Sequence, residues 1–142
     1  LDAIGALPID AFVCGVGTGG TITGVGRALR AHHPNMELIA VEPERSSVLA
    51  GGQPHTHEIQ GIGAGFIPKV LDTSLLDRMI AVSDEAAKRM RSLLGRREGL
   101  HVGTSAGANV FAALQVAEAL GEGKTVVTVL CDTGDRYMKP SV

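Results

Sequence analysis

The sequence predicts an α/β domain: a mainly parallel sheet flanked by helices. Short apolar segments alternate with amphipathic ones along the chain, and this alternation is typical of βαβ units. Aromatic residues are scarce, with three Phe, one Tyr and no Trp, so the core must consist of Val, Ile, Leu and Ala, as in buried parallel strands and the helices that cover them. The length of 142 residues suits one domain, residues 1–142.

The first βαβ unit begins with "AFVCGV", residues 11–16, an apolar run that predicts a buried strand leading into a glycine loop. From about Thr21 to His32 apolar residues recur at helical spacing, and Pro34 ends the helix. The next predicted strand is "ELIAVEP", residues 37–43. Because such crossovers are right-handed, the two strands should be parallel.

The middle of the chain is less regular. Residues 44–78 show no clean period and predict loop with a short helix. A strand follows at residues 78–83, "RMIAVS". Ser83 or Asp84 is then expected to cap a helix that runs to about Leu94.

The last third predicts a short extended piece, a glycine turn, a helix and a strand. The helix should end at Gly121. The strand "TVVTVLCD", residues 125–132, is β-branched and uncharged until Asp132. We therefore expect it to be a central strand, buried on both faces.

Composition narrows the classes of function. The net charge is −2 and no block of like charges occurs, which argues against a nucleic-acid partner. No apolar run approaches the roughly 20 residues of a membrane span. Cys14 and Cys131 are expected to be reduced and buried, as in a cytoplasmic protein. His55 and His57 lack further ligands nearby, so they are interpreted as solvated, and no metal site is predicted.

The first glycine loop allows two interpretations. Gly15, Gly17 and Gly20 fit G-x-G-x-x-G, with Glu42 at about the right distance for a ribose hydroxyl, which would indicate a nicotinamide-dependent oxidoreductase. Hydroxyl groups at positions 18, 21 and 23 favour instead a terminal phosphate, which has three exposed oxygens to bind. The residues alone leave both alternatives open.

The glycine loop and "CDTGDRY" each follow a strand directly, so both are expected at the carboxyl edge of the sheet, where ligands of such sheets bind. "GTSAGA" opens a helix that could face the same crevice. "QGIGAGFIP", residues 60–68, is too apolar for an ordinary surface turn and predicts a pocket wall. Ser105 precedes a helix, where it could cap the helix, bind a ligand, or do both.

Taken together, "GVGTGGTITG", "QGIGAGFIP", "GTSAGA" and "CDTGDRY" resemble, in order and spacing, the cysteine synthases (O-acetylserine sulfhydrylases). These belong to the fold type II pyridoxal-phosphate enzymes. The resemblance extends from about Asp10 to Tyr137. Within the same cofactor class, cystathionine β-synthase, which uses serine and homocysteine, is the alternative.

The resemblance implies pyridoxal 5′-phosphate as cofactor and assigns the loops. The cofactor phosphate would be held by Gly17, Thr18, Gly19, Gly20 and Thr21. Ser105 would bond the pyridine nitrogen. The amino-acid substrate would be bordered by Gln60, Gly61, Gly63 and Ala64. Asp132 is given no catalytic role.

The implied activity is that of a transferase, which converts O-acetyl-L-serine and sulfide to L-cysteine and acetate. In this family the cofactor is attached to a lysine of an N-terminal segment, which also removes the α-proton. Lys69, Lys88, Lys124 and Lys139 match no such context. We therefore expect the chain to be the C-terminal part of the enzyme, without a catalytic residue, with negligible turnover and at best weak cofactor binding on its own. The family further implies a cytoplasmic homodimer and serine acetyltransferase as a partner.

Overall fold

The structure is a computed structural model and describes residues 7–137. The other residues of the predicted domain, 1–6 and 138–142 with Lys139 among them, lie outside the described residues. Four strands form one parallel sheet in the spatial order β3-β2-β1-β4. They are β1 (Ala11–Gly15), β2 (Glu37–Pro43), β3 (Arg78–Val82) and β4 (Val126–Thr128). The predicted fold class is confirmed.

Three α-helices cover the sheet: α1 (Gly20–Arg30), α2 (Asp84–Leu93) and α3 (Thr104–Leu120). α1 packs on one face of the sheet, and α2 and α3 pack on the other. Helix α1 approaches β2 closely, since a Cβ on Gly26 would lie 2.5 Å from a methyl carbon of Leu38. The sheet is thus the middle layer of three, as expected for parallel strands.

The strands β1 and β2 are buried on both faces, which confirms the predicted burial of the first strand. In β1, Ala11 and Val13 pack toward α3, whereas Phe12 and Cys14 pack toward α1. Each of these four side chains is at most 2% exposed. Burying such a strand on both sides fixes the direction in which its carboxyl end, and therefore the glycine loop, points.

The prediction for the last strand is wrong. The central, doubly buried strand expected over residues 125–132 is a three-residue strand, β4, at the edge of the described sheet, where it pairs with β1. Its residues are half-buried, and Leu130 beyond it is 41% exposed. Directly after the strand, the carbonyl of Val129 accepts from the side chain of Asn109 at 2.8 Å. Apolar composition indicates a tendency to be buried, but it does not reveal which strands lie alongside.

The remaining boundaries agree with the predictions to within a few residues. Ser83 is the N-cap of α2, where its hydroxyl oxygen accepts from the Ala86 N–H at 3.2 Å. After α2 the chain makes one π-helical turn, Leu94–Glu98, that ends at Gly99. Between β2 and β3 the expected short helix consists of two 3₁₀ turns, Glu44–Ser46 and Thr73–Leu75.

Candidate functional site

A cavity of about 410 Å³ opens at the carboxyl edge of the sheet. Four segments that are far apart in the sequence line it: the glycine loop after β1, residues 60–62, the start of α3, and residues 129–132 after β4. This convergence was predicted from the topology, because the carboxyl ends of parallel strands meet at one edge.

The glycine loop needs glycine at two positions. Gly19 has φ = +84°, and a Cβ there would lie 2.6 Å from the Cβ of Leu71. A Cβ on Gly17 would lie 2.4 Å from the carbonyl oxygen of Gly61. The loop is therefore pressed between residues 61 and 71, and any side chain would displace it.

The first turn of α1 is left open at the cavity. Its N-cap, Gly19, supplies no side-chain hydrogen bond, and no acidic residue lies in the turn. The nearest hydroxyl, that of Thr18, accepts from the Gly20 N–H at 3.3 Å, and Thr21 is exposed on the cavity wall. A helix N-terminus with no acidic residue in its first turn and with adjacent hydroxyls suits a phosphate group.

Four of the five residues predicted to hold phosphate line this cavity: Gly17, Thr18, Gly19 and Thr21. Gly20 is the first residue of α1 and contributes through its bond to Thr18. The hydroxyl of Thr23, in contrast, lies outside the cavity. It donates to the carbonyl of Val70 and accepts from the N–H of Asp72, and so it ties α1 to that loop.

The four residues predicted to border the substrate fall into three places. Gln60 and Gly61 line the main cavity. Ala64 lines an adjoining hollow of about 500 Å³, whose wall also contains Thr18, Phe66 and Lys69. Gly63 lines neither of these cavities and packs against Pro43, since a Cβ on Gly63 would lie 2.5 Å from a ring carbon of Pro43. Their contact with a substrate stays a prediction.

The side chain of His57 makes two contacts within the loop of residues 57–63. The prediction that it is freely solvated is therefore wrong. Its Nδ1 accepts from the Ile59 N–H at 3.2 Å, and its Nε2 lies 2.9 Å from the carbonyl oxygen of Gly63. These two contacts require the neutral tautomer with hydrogen on Nε2. A histidine between a threonine and a glutamate carries no sequence signal for these contacts.

Ser105 lines the cavity and is 3% exposed. Of the roles left open for Ser105, the structure excludes the cap of α3, since the N-cap is Gly103 and Ser105 lies inside the first turn. Its hydroxyl instead faces Gly61, 3.9 Å from the position of a Cβ on that glycine. Because Gly103 makes no side-chain cap, α3 also starts without a capping group.

Glu42 does not face the cavity, which removes the geometric support for a dinucleotide site. It is 2% exposed, and its two carboxylate oxygens accept from the N–H groups of Leu49 and Ala50 at 2.8 and 3.0 Å. Burial raises the pKa of this carboxyl above its usual value of 4.5, although the two N–H donors oppose that shift. A carboxylate engaged in this way cannot bind a ribose hydroxyl.

The two cysteines differ in exposure, although both line the cavity. Cys14 is buried, and burial together with the neighbouring Cys131 raises the pKa of its thiol to about 12. Cys131 is exposed, so the prediction of two buried cysteines is wrong for it. It follows β4, whose edge position leaves this segment open to solvent.

Sequence reasoning missed one polar residue at this site. Asn109 is fully buried and lies one helical turn after Ser105 in α3. An amide among apolar helix residues, "SAGANVFAAL", was a signal that could have identified it. Asp132, which was given no catalytic role, also lines the cavity.

Residues 7–137 lack two features that would indicate other functions. In that part of the chain no cluster of three or more His, Cys, Asp or Glu side chains is arranged to hold a metal ion. None of the helices there combines the length and apolar character needed to cross a membrane.

Comparison with known proteins establishes the family. The model of the family "pyridoxal-phosphate dependent enzyme" matches residues 1–132. Cysteine synthase of Staphylococcus aureus is 52% identical over 130 residues, which are 92% of this chain and 42% of that protein. The chain therefore belongs to the pyridoxal-phosphate-dependent enzyme family, and it spans about two fifths of the length of the curated relatives it matches. The predicted resemblance and cofactor class are confirmed.

Solved structures agree in fold. An O-ureido-L-serine synthase superposes with a TM-score of 0.92 at 40% identity, covering 96% of this chain and 43% of that one. Cysteine synthase of Entamoeba histolytica gives 0.90 at 39% identity, covering 96% and 40%. An O-acetylserine-dependent cystathionine β-synthase of Helicobacter pylori gives 0.88 at 42% identity, covering 96% and 44%.

The residues of the cavity fit the cofactor of the family. The glycine loop presents bare backbone where a Cβ would collide, and the uncapped first turn of α1 offers N–H groups to an anion. A pyridine ring beyond the phosphate would meet Gly61 and Ser105, which line the same cavity. One cavity therefore contains groups suited to a phosphate and to a ring, and the contact of individual residues with the cofactor stays a prediction.

Proposed function

We propose that this chain forms the phosphate- and ring-binding part of a cysteine synthase, which makes L-cysteine and acetate from O-acetyl-L-serine and sulfide. The observation that carries the proposal is the convergence of the uncapped α1 N-terminus, residues 60–61 and Ser105 on one cavity. The 52% identity to cysteine synthase of Staphylococcus aureus supports the choice within the family.

In this proposal Thr18 and Thr21 donate their hydroxyl hydrogens to the cofactor phosphate, beside the N–H groups of residues 17–21. Bound pyridoxal phosphate would supply an electron sink for negative charge at the α-carbon of the amino acid. Ser105 would bond the pyridine nitrogen as a neutral group and leave the ring largely unprotonated, which suits β-replacement.

Gln60 and Gly61 would border the amino-acid substrate, with Gly63 and Ala64 shaping the same loop. None of the described lysines lines the 410 Å³ cavity, and Lys69 lies on the adjoining hollow. The proposal therefore assigns binding and orientation to the described residues, and removal of the α-proton to none of them.

The binding part of the proposal is tested with pyridoxine 5′-phosphate, which has the phosphate and the ring but no aldehyde. Equilibrium dialysis should show saturable binding, and Thr18→Ala with Thr21→Ala should weaken it about tenfold, the loss expected for one or two hydrogen bonds. The control is Thr73→Ala, an exposed threonine that is not among the residues lining the cavity, which should leave the affinity unchanged. Saturable NADH binding without pyridoxine 5′-phosphate binding would reject the proposal.

The catalytic part is tested by a chimera in which this chain replaces the matched 130 residues of the Staphylococcus aureus enzyme. Cysteine formation from O-acetylserine and sulfide supports the proposal. A preference for homocysteine over sulfide as the second substrate would favour the second candidate, cystathionine β-synthase, because the chain is also similar to an O-acetylserine-dependent cystathionine β-synthase of Helicobacter pylori.

The finer predictions belong to the same proposal: a cytoplasmic homodimer with serine acetyltransferase as a partner. Exposed Phe66, Ile67 and Val70 form an apolar surface beside the cavity, which supports contact with another protein surface. Sedimentation of the chain alone, and then with serine acetyltransferase, tests these two associations.

A further inference from the structure

We propose that Asn109 is a positioning residue, which sets Ser105 at the correct distance from the phosphate loop. The inference rests on the proposed function, because it assigns Ser105 to the ring end and residues 17–21 to the phosphate end of one cofactor.

The first support is the set of bonds made by the Asn109 side chain. Its Oδ1 accepts from the Gly15 N–H at 2.8 Å, at the point where β1 ends and the glycine loop begins. Its Nδ2 donates to the Val129 carbonyl at 2.8 Å and approaches the Cys131 sulfur at 3.5 Å. One side chain therefore connects α3, β1 and the segment after β4.

The second support is the place of Asn109 on its helix. Ser105 and Asn109 are four residues apart, and so they lie on the same face of α3. Ser105 is 3% exposed and Asn109 is fully buried. Fixing Asn109 against Gly15 therefore fixes the Ser105 hydroxyl relative to the loop that starts two residues further on.

The third support is the close packing around the contact between Gly15 and Asn109. A Cβ on Gly15 would lie 3.0 Å from Oδ1 of Asn109 and 2.7 Å from a methyl carbon of Ile62. The strand end, the amide and the loop of Gln60 and Gly61 are therefore packed against one another. A buried amide whose donor and acceptor are both used holds such a junction in one arrangement.

The test distinguishes positioning from folding by using two ligands. Inorganic phosphate needs the phosphate loop alone, whereas pyridoxine 5′-phosphate needs the loop and Ser105 at the same time. Asn109→Asp keeps an acceptor for the Gly15 N–H but places an oxygen against the Val129 carbonyl. We expect its affinity for pyridoxine 5′-phosphate to fall about five- to twentyfold, the loss of one well-placed hydrogen bond. Its affinity for inorganic phosphate should change less than about twofold, since the loop keeps its own contacts.

A double-mutant cycle with Ser105→Ala supplies the decisive readout. If Asn109 acts through Ser105, Ser105→Ala weakens pyridoxine 5′-phosphate binding in the wild-type chain and has no further effect in Asn109→Asp. Asn109→Ala, which removes both links, should give the same pattern. Val116→Ala, two turns further along α3, is the control: it lowers the melting temperature and leaves the affinity ratio of the two ligands unchanged.

Additive losses in the cycle would overturn the inference, as would a parallel loss of both ligands in Asn109→Asp. Failure of the wild-type chain to bind pyridoxine 5′-phosphate would overturn the proposed function as well. Binding by the wild-type chain with an additive cycle would overturn the role of Asn109 alone.

Discussion

The N-termini of α1 and α2 differ in the side chains that interact with their first backbone N–H groups. Helix α2 begins with the Ser83 hydroxyl as a cap and carries Asp84 and Glu85 in its first turn. Helix α1 (Gly20–Arg30) has Gly19 as its N-cap, which supplies no side-chain hydrogen bond, and no acidic residue lies in its first turn. Its first turn faces the cavity. The chain thus supplies acidic groups of its own at the N-terminus of α2, whereas at the N-terminus of α1 the proposed ligand would bring the anion.

The same contrast extends beyond the helices. The N–H groups of Leu49 and Ala50 are satisfied by the buried Glu42 carboxylate, and Asp72 caps the 3₁₀ turn Thr73–Leu75. Helix α3, which also opens on the cavity, begins at Gly103 without a side-chain cap. Substitutions at the two kinds of site should therefore separate stability from ligand binding.

The largest effect is expected for Gly19→Ala at the uncapped end. Alanine would have to adopt a left-handed φ at this position, and its Cβ would collide with Leu71. We therefore expect a loss of about 1–3 kcal/mol in the free energy of unfolding. Affinity for pyridoxine 5′-phosphate should fall at least about tenfold, because the loop must shift. Urea unfolding and equilibrium dialysis measure the two effects.

Gly24→Ala in the same helix is the matched control. Nothing lies within 4 Å of a Cβ at this position, so alanine should stabilise α1 by about 0.5–1 kcal/mol. Unchanged binding in Gly19→Ala, with the loss of stability present, would break the assignment of this helix end to the ligand.

The next effect is expected for Glu42→Gln, which replaces one of the two carboxylate oxygens that accept from the N–H groups of Leu49 and Ala50. We expect a loss of about 1–3 kcal/mol near pH 5, because an amide nitrogen would face an N–H donor. Ligand affinity should be nearly unchanged, since Glu42 does not line the cavity.

The pH dependence of this variant has a definite sign. The folded-state pKa of Glu42 is raised by burial, so ionisation opposes folding and the wild type loses stability as the pH rises above about 4.5 through that raised pKa. The glutamine variant lacks this loss, so its deficit should shrink with rising pH. If the stability deficit of the variant instead grew with pH, the two N–H donors would lower the pKa of Glu42 by more than burial raises it.

A smaller effect is expected for Ser83→Ala at the capped end of α2. Loss of the bond to the Ala86 N–H should lower the free energy of unfolding by about 1 kcal/mol. Pyridoxine 5′-phosphate should bind as tightly as before. A change in affinity would show that the N-termini of α1 and α2 are coupled, which would contradict separate roles in ligand binding and in stability.

The smallest effect is expected for Asp72→Asn. Asparagine retains a capping oxygen for the Ser74 N–H, and the pair that is lost involves Arg27, whose side chain is 62% exposed. The hydrogen bond from the Ser74 hydroxyl, followed by that from Arg27, lowers the pKa of Asp72 below its usual 3.8. Its stabilisation is thus present above that value and lost as the pH falls through the lowered pKa. Melting curves at neutral and acidic pH should differ from the wild type only slightly, and less so at high salt.

The sequence predicted the sheet and the meeting of the loops because these depend on local patterns and on the handedness of crossovers. Strands β1 and β2, the cap at Ser83 and the cavity edge follow from residues close together in the chain. The edge position of β4 and the hydrogen bonds of His57 and Asn109 could not be predicted in this way. Each depends on which groups the folded chain brings next to it. Glu42 illustrates the same point: its spacing from the glycine loop fitted a ribose, whereas its burial under Leu49 and Ala50 gives it another partner.

The central claim is that the uncapped N-terminus of α1 and its two threonines hold the phosphate of pyridoxal phosphate. A crystal structure of the chain with bound pyridoxine 5′-phosphate tests this claim most directly. The account predicts phosphate oxygens within hydrogen-bond distance of the N–H groups and hydroxyls of residues 17–21, with the ring toward Ser105. A phosphate bound at any other place on the chain would contradict it.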